Sequence, residues 1–184
     1  MAKCPICNSR KGKRQCLIAD SPVCSLCCGN TRKPESCLGC RFYQKPKRQY
    51  KDVPAYSVSE MDGNLELEGY GNSIEGALCA YDLENGNNLQ DSDAIRIIEV
   101  LIDLHHFGDQ QIDTDSRIIA KGVDCVEAAI RKDLRGVSNE IIVKILGVIW
   151  FVAKRRTKFG REYMNIIHQY VGQRIDTGIR ILQQ

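Results

Sequence analysis

The stretch VCSLCCGNTRKPESCLGC, residues 23–40, decides how the first quarter of the chain folds, because it sets two Cys-x-x-Cys pairs around a doubled Cys27-Cys28. Upstream, Cys4-x2-Cys7 adds a third pair and Cys16 a single thiol. Cys4, Cys7, Cys16, Cys24, Cys27, Cys28, Cys37 and Cys40 therefore all fall within the first forty of 184 residues. A Cys-x-x-Cys turn presents two thiolates to one tetrahedral Zn²⁺ at about 2.3 Å. Eight thiols complete two closed sites, so the sequence predicts two zinc ions per chain. The same segment holds few large apolar side chains, and a module this small folds only if something other than an apolar core holds it. Structural zinc supplies on the order of 10 kcal/mol or more, which makes the metal the predicted core. Iron–sulfur ligation, dithiol redox chemistry and disulfides remain the alternatives. They lack, respectively, a ferredoxin-type run ending in Cys-Pro, a surrounding βαβ pattern and an apolar leader after Met1.

The order Cys4-x2-Cys7, Cys16, Cys24-Ser25 and a closing pair resembles the cross-braced, treble-clef-type MYND and HIT zinc fingers, in which alternating pairs bind two zincs. It also resembles the amino-terminal clusters of short bacterial proteins with a GKR…C…CSxCCG…R…C…C pattern, here Gly12-Lys13-Arg14, Cys16, CSLCCG at 24–29, Arg32, Cys37 and Cys40. The resemblance covers residues 4–43. It implies a second ligand three positions after Cys16, where this chain has Ala19, and often a closing His, of which this segment has none. One of Cys27 and Cys28 must then complete the second site. Neighbouring side chains of an extended segment point to opposite sides, which favours Cys4, Cys7, Cys24 and Cys27 on one zinc and Cys16, Cys28, Cys37 and Cys40 on the other. The alternative exchanges Cys27 and Cys28 and preserves the Cys-Ser-x-x-Cys spacing of those fingers.

Charge is segregated along the chain more than the net +3 indicates. Residues 1–51 carry 12 Lys and Arg against Asp20 and Glu35; residues 52–115 carry Arg96 alone against 15 acidic side chains; residues 116–184 carry 13 basic against 6 acidic. Arg10, Lys11, Lys13, Arg14, Arg32, Lys33, Arg41, Lys47 and Arg48 would meet phosphates, and the interleaved Phe42 and Tyr43, with Tyr50 beyond them, could stack on bases. The bland counterpart is a solvated basic face with its aromatics packed on the metal turns.

Three segments are predicted: a zinc-binding basic module (1–51), a linker or short hairpin (52–72) and an α-helical domain (73–184). In the second, Asp62-Gly63 would turn a hairpin in which Leu65 and Leu67 alternate with Glu66 and Glu68. In the third, Ser73 would cap a helix through Ile74, Leu78 and Tyr81, and Ser92 or Asp93 one through Ile95, Ile98, Leu101 and Ile102 that stops at Gly108. Further helices run from Asp115 or Asp124 to Leu134, from Ser138 or Asn139 to 156, and from about 161 through Tyr163 and Ile167 until the pattern blurs after Gly172. The fold class is mainly α, a small two-zinc module with little regular structure followed by a helical bundle. The most apolar run, 141–153, is too short to span a bilayer and contains Lys144.

These features predict a cytoplasmic, non-enzymatic protein that binds nucleic acid through its head, RNA or single strands in preference to duplex DNA, with the helical domain for dimerisation or docking to a protein partner and no membrane association. The alternative is an adaptor whose head grips an acidic or proline-containing partner. His105-His106, near Asp103 and Asp109, raises metal binding or acid–base work; packing of one ring at a helix end, with the other in water, is the simpler expectation. Cys79 and Cys125 fall on helical stretches as core thiols.

Overall fold

Short polar side chains set half of the α-helix starts among the described residues. Ser57, Asn64, Ser116 and Ser138 each accept a hydrogen bond from a backbone N–H of the turn that follows, satisfying donors that the helix itself leaves unpaired. A computed structural model describes residues 2–37, 39–43, 48–112, 114–157 and 160–182. The elements are β1 (Arg14–Cys16), β2 (Ser21–Val23), α1 (Ser25–Asn30), α2 (Pro34–Cys37), a 3₁₀ turn (Tyr50–Asp52), α3 (Val58–Met61), α4 (Leu65–Glu84), α5 (Asp91–His105), α6 (Arg117–Asp133), α7 (Asn139–Arg156), α8 (Glu162–Tyr170), β3 (Gln173–Asp176) and β4 (Ile179–Ile181). The protein is mainly α, and it divides into two compact units, Met1–Arg48 and Gln49–Gln184.

In the first unit β1 and β2 form an antiparallel ribbon with Arg14 opposite Val23 and Cys16 opposite Ser21, turned through a left-handed Asp20. In the second, α5 packs on α6 and α7, and α4 on α6, α7 and α8. Ile97, Ile98, Leu101 and Ile102 of α5 are fully buried against Val123, Val126 and Ile130 of α6 and Ile145, Leu146 and Ile149 of α7. Each such side chain contributes about 1.5–3 kcal/mol by leaving water. Two glycines set the close approaches. A Cβ on Gly122 would strike Ile97 and Tyr81, and one on Gly147 would strike the Pro54 carbonyl oxygen. The segment before α3 is thereby seated on α7: Val53 is buried, and Tyr50 packs on Phe107 and Trp150 while its hydroxyl donates to Asp103 at 3.0 Å.

Two buried carboxylates tie the α4–α5 connection to α8. Asp82 accepts from the Leu89 N–H (2.8 Å), both terminal nitrogens of Arg161 and His168 Nε2 (2.8 Å). Asp91 accepts from the N–H groups of Tyr163 and Met164, at 3.1 and 3.0 Å. It supplies the cap that Arg161, at the N-cap of α8, does not.

Over 52–72, where a linker or short hairpin is expected, the chain forms α3 and the first turns of α4. Gly63, with φ at 70°, ends α3, and Asn64 starts α4 by accepting from the Leu67 N–H. The Leu65–Glu68 alternation is too short to compete with Leu67, Tyr70, Ile74, Leu78 and Tyr81, which recur every three or four residues. Ser73 therefore lies inside α4, bonded to the Gly69 carbonyl, and is no cap. Asp93 sits in the first turn of α5, its carboxylate accepting from the Gln90 N–H. The blurred pattern after Gly172 is a β-ribbon with its polarity inverted: Arg174 turns inward to Asp133, exposed Arg180 donates through Nη1 to the Val171 carbonyl, and Ile175, Ile179 and Ile181 face water. Among the described residues no helix is long and apolar enough to cross a membrane.

Candidate metal centre and basic surface

Local backbone geometry gathers the first four thiols. After Cys4 the chain reverses tightly: the Asn8 N–H donates to the Cys4 carbonyl at 2.8 Å, Asn8 is left-handed (φ 52°), and the Cys4 N–H donates to the Arg10 carbonyl. The β1–β2 ribbon then delivers Cys24 to the N-cap of α1, where its sulfur accepts from the Cys27 N–H at 3.4 Å. The sulfurs of Cys4, Cys7, Cys24 and Cys27 lie within 4.8 Å of one another, with Cys7 Sγ and Cys24 Sγ 4.0 Å apart. Four sulfurs at 2.3 Å from a tetrahedral ion stand about 3.8 Å apart, whereas disulfide sulfurs bond at about 2.05 Å. This group could hold a metal ion. Cys4, Cys24 and Cys27 are buried and Cys7 half-buried, so the cluster is closed to water on most sides.

The thiols differ in acidity. Hydrogen bonds from the Ser9 hydroxyl, then from the Ser9 and Arg10 backbone, bring Cys7 down to about 5. Burial opposes ionisation of Cys4, yet N–H groups of Cys24, Cys7 and Ile6 lower it. Cys27 is pushed up to about 12, chiefly by its side-chain hydrogen bond to Cys24 and then by burial. Adjacent thiols cannot all carry charge without a cation, and a metal entering the cluster displaces the protons that remain.

The other four cysteines of the segment line one small cavity of about 20 Å³, together with Leu17, Ile18 and Thr31. Cys16 comes from β1, Cys28 from α1, Cys37 from the end of α2 and Cys40 from the turn after it. Cys27 and Cys28 diverge for a reason other than strand alternation. They sit in a helix, where successive side chains turn by about 100°, so Cys27 joins the first group and Cys28 faces the cavity.

The predicted basic residues separate into two sets. Arg10, Lys11, Lys13 and Lys33 are exposed on the loops and ribbon. Arg14, Arg32 and Arg41 converge on Phe42. The guanidinium of Arg14 lies 5.3 Å and that of Arg41 4.7 Å from its ring centroid, and Arg32 Nη2 donates to its carbonyl at 3.2 Å. Arg14 Nη1 also reaches Cys28 Sγ at 3.8 Å. Tyr43 and Arg48 are half-buried, the Tyr43 N–H donating to the Cys40 carbonyl; Lys47 lies outside the described residues. Tyr50 belongs to the helical unit and is engaged there, so it is not part of a stacking surface of the head.

In the helical unit His105 is fully partnered: Nε2 meets Glu127 at 2.9 Å and Nδ1 meets the side-chain oxygen of Asn139 at 2.8 Å. Both ring nitrogens face acceptors, and the Glu127 carboxylate raises the imidazole above its ordinary value. His106 is exposed, edge-on to Phe107. Cys79 is buried, and burial raises its thiol; Cys125 Sγ points at the Ala77 carbonyl. Sequence reasoning passed over Asp82 and His168. The signal was present, because Asp82 follows Leu78 by four residues on the apolar stripe of α4, a place for a carboxylate only if it is paired. Comparison with known protein families, with curated proteins and with solved structures finds no match for this chain.

Proposed function

We propose that the chain is a non-enzymatic, two-zinc protein whose basic head binds nucleic acid, RNA or single strands in preference to duplex DNA, in the reducing setting of the cytoplasm. The observation that carries the proposal is the closed four-sulfur group of Cys4, Cys7, Cys24 and Cys27 inside a segment with ten surplus positive charges. Thiolates alone suit zinc, and four protein ligands leave no open position for a substrate, which supports a structural ion over a catalytic one. That Cys16, Cys28, Cys37 and Cys40 line one small cavity supports the second zinc of this reading. Two tetrathiolate centres absorb about four of the surplus charges, leaving about six for phosphates. Helices α1 and α2, of six and four residues, are too short to act as a reading helix in a major groove, which supports single strands. To the helical unit falls dimerisation or docking to a protein partner.

The rival adaptor reading has its own support in Leu17, Ile18 and Leu26, which are more than half exposed on the head. Gel-shift titration across a salt series separates the two. Phosphate contacts require affinity that falls steeply with the logarithm of salt; an adaptor binds no oligonucleotide at physiological salt. Elemental analysis should return two zinc ions per chain and one for Cys28→Ser. Iron, or no metal, would remove the foundation of the proposal.

A further inference from the structure

Arg14, Arg32 and Arg41 reach Phe42 from three separate segments: β1, the turn after α1 and the turn after Cys40. The guanidinium carbons of Arg14 and Arg41 stand no more than about 10 Å apart through the shared ring, comparable with the screening length at 0.1 M salt. Only Asp20 and Glu35 bear carboxylates in residues 1–51, and among the described residues neither forms an ion pair with the three arginines. Like charges held this close repel unless an anion joins them; the Cys28 sulfur serves Arg14, and among the described residues no carboxylate meets Arg32 or Arg41. Packing on an aromatic ring also fixes the plane of a guanidinium and leaves its N–H fork available for bidentate contact with a phosphate. Phe42 is half-buried, and two guanidiniums lie against its ring, which leaves it poorly placed to receive a base.

We infer that this cluster reads phosphate: Arg41, ordered on the Phe42 ring, and Arg32, held by the Phe42 carbonyl, grip the sugar-phosphate backbone of a single strand, and the ring is a platform for guanidinium and no stacking partner for bases. The inference rests on the nucleic-acid reading above and narrows it to backbone recognition that tolerates any sequence. Arg14 has a divided role. Its contact with Cys28 Sγ couples the platform to the second group of thiols, so Arg32 and Arg41 are the residues to perturb.

The test uses the full-length, metal-loaded chain and two labelled probes of equal length, oligothymidylate and an abasic phosphodiester strand, followed by fluorescence anisotropy over a salt series. The two affinities should agree to within about fivefold, the smallest effect that stacking of one base would have. Arg32→Gln and Arg41→Gln should each reduce the slope of log affinity against log salt by about 0.7, the value for one phosphate of a single strand. Phe42→Leu should weaken both probes alike, with metal content measured on every variant to show that the head is intact. A larger loss confined to the abasic strand would overturn the inference and leave the nucleic-acid function standing. Unchanged slopes in both arginine variants would overturn it as well. If neither probe binds while an acidic peptide does so through the same arginines, the function and the inference fall together.

Discussion

On the zinc reading proposed above, metal removal is the sharpest perturbation of this molecule, because that reading has its two units held by different physics. The buried cluster of the head is Cys4, Val23, Cys24 and Cys27. Val23 is its one member outside the thiol group. A fully buried valine contributes about 1.5–3 kcal/mol, against on the order of 10 kcal/mol or more from one structural zinc, while ordering costs about 1–2 kcal/mol for every residue of the backbone. Chelation should therefore unfold residues 1–48. The core of the second unit is aliphatic and needs no ion, so residues 49–184 should stay folded. Helices α1 and α2 supply ten of the ninety-three α-helical residues among those described, so helical circular dichroism should fall by only about a tenth. In an amide ¹H–¹⁵N correlation spectrum the head signals should collapse to random-coil positions while the helical set keeps its dispersion. Head signals that remain dispersed, with metal shown to be absent by elemental analysis, would refute the claim that the ion is the core.

Replacing Asp82 by Ala strands Arg161, His168 and the Leu89 N–H at a buried position, and should cost about 3–5 kcal/mol in urea denaturation of the helical unit. Burial opposes ionisation of Asp82, but Arg161, the Leu89 N–H and His168 hold it below the ordinary carboxylate value. Its contribution is thus present above the unfolded pKa and lost as pH falls through the lower folded one. His105 has the opposite sign. Raised chiefly by Glu127, it stabilises fully below its unfolded value of about 6.5, and that stability is lost as pH rises through the raised folded value. Wild type should lose stability across that interval, and His105→Ala should show no such loss; equal urea midpoints at both ends of it in wild type would count against the pairing. Gly147→Ala drives a methyl into the Pro54 carbonyl and should cost about 1–3 kcal/mol, with a shift in Trp150 emission as Tyr50 and Val53 loosen.

Much of the helical unit was legible because its boundaries are written in local chemistry. Ser138 caps α7, Gly108 and Gly136 take up left-handed conformations after α5 and α6, and the apolar stripe of α5 recurs at helical spacing. The first half of α4 was misread because Leu65, Glu66, Leu67 and Glu68 alternate for four residues, enough to imitate a strand. The terminal ribbon escaped notice because its inward side chain is Arg174: a pattern that equates polar with outside cannot find it, and the carboxylate that makes it possible, Asp133, lies 41 residues away. In the head, spacing alone pointed to Cys4, Cys7, Cys24 and Cys27, which the fold gathers into one group, but the helix that separates Cys27 from Cys28 and the meeting of three arginines at Phe42 arise only from the folded path of the chain.

The clasp made by Asp82 and Asp91 has a consequence for the order in which the molecule takes shape. Apart from the Leu89 N–H bond to Asp82, seven residues away, its hydrogen bonds join residues 72 to 86 positions apart, so the connection between α4 and α5 is not locked by its neighbours in sequence alone. Such distant pairings raise contact order and slow folding relative to a bundle built from successive hairpins. During synthesis α4 to α7 can emerge and pack provisionally, but the buried carboxylate of Asp82 waits for Arg161 and His168 to leave the ribosome. Until then it is a burial site for a charge without its counter-ions, and the growing chain has reason to keep that corner open to water.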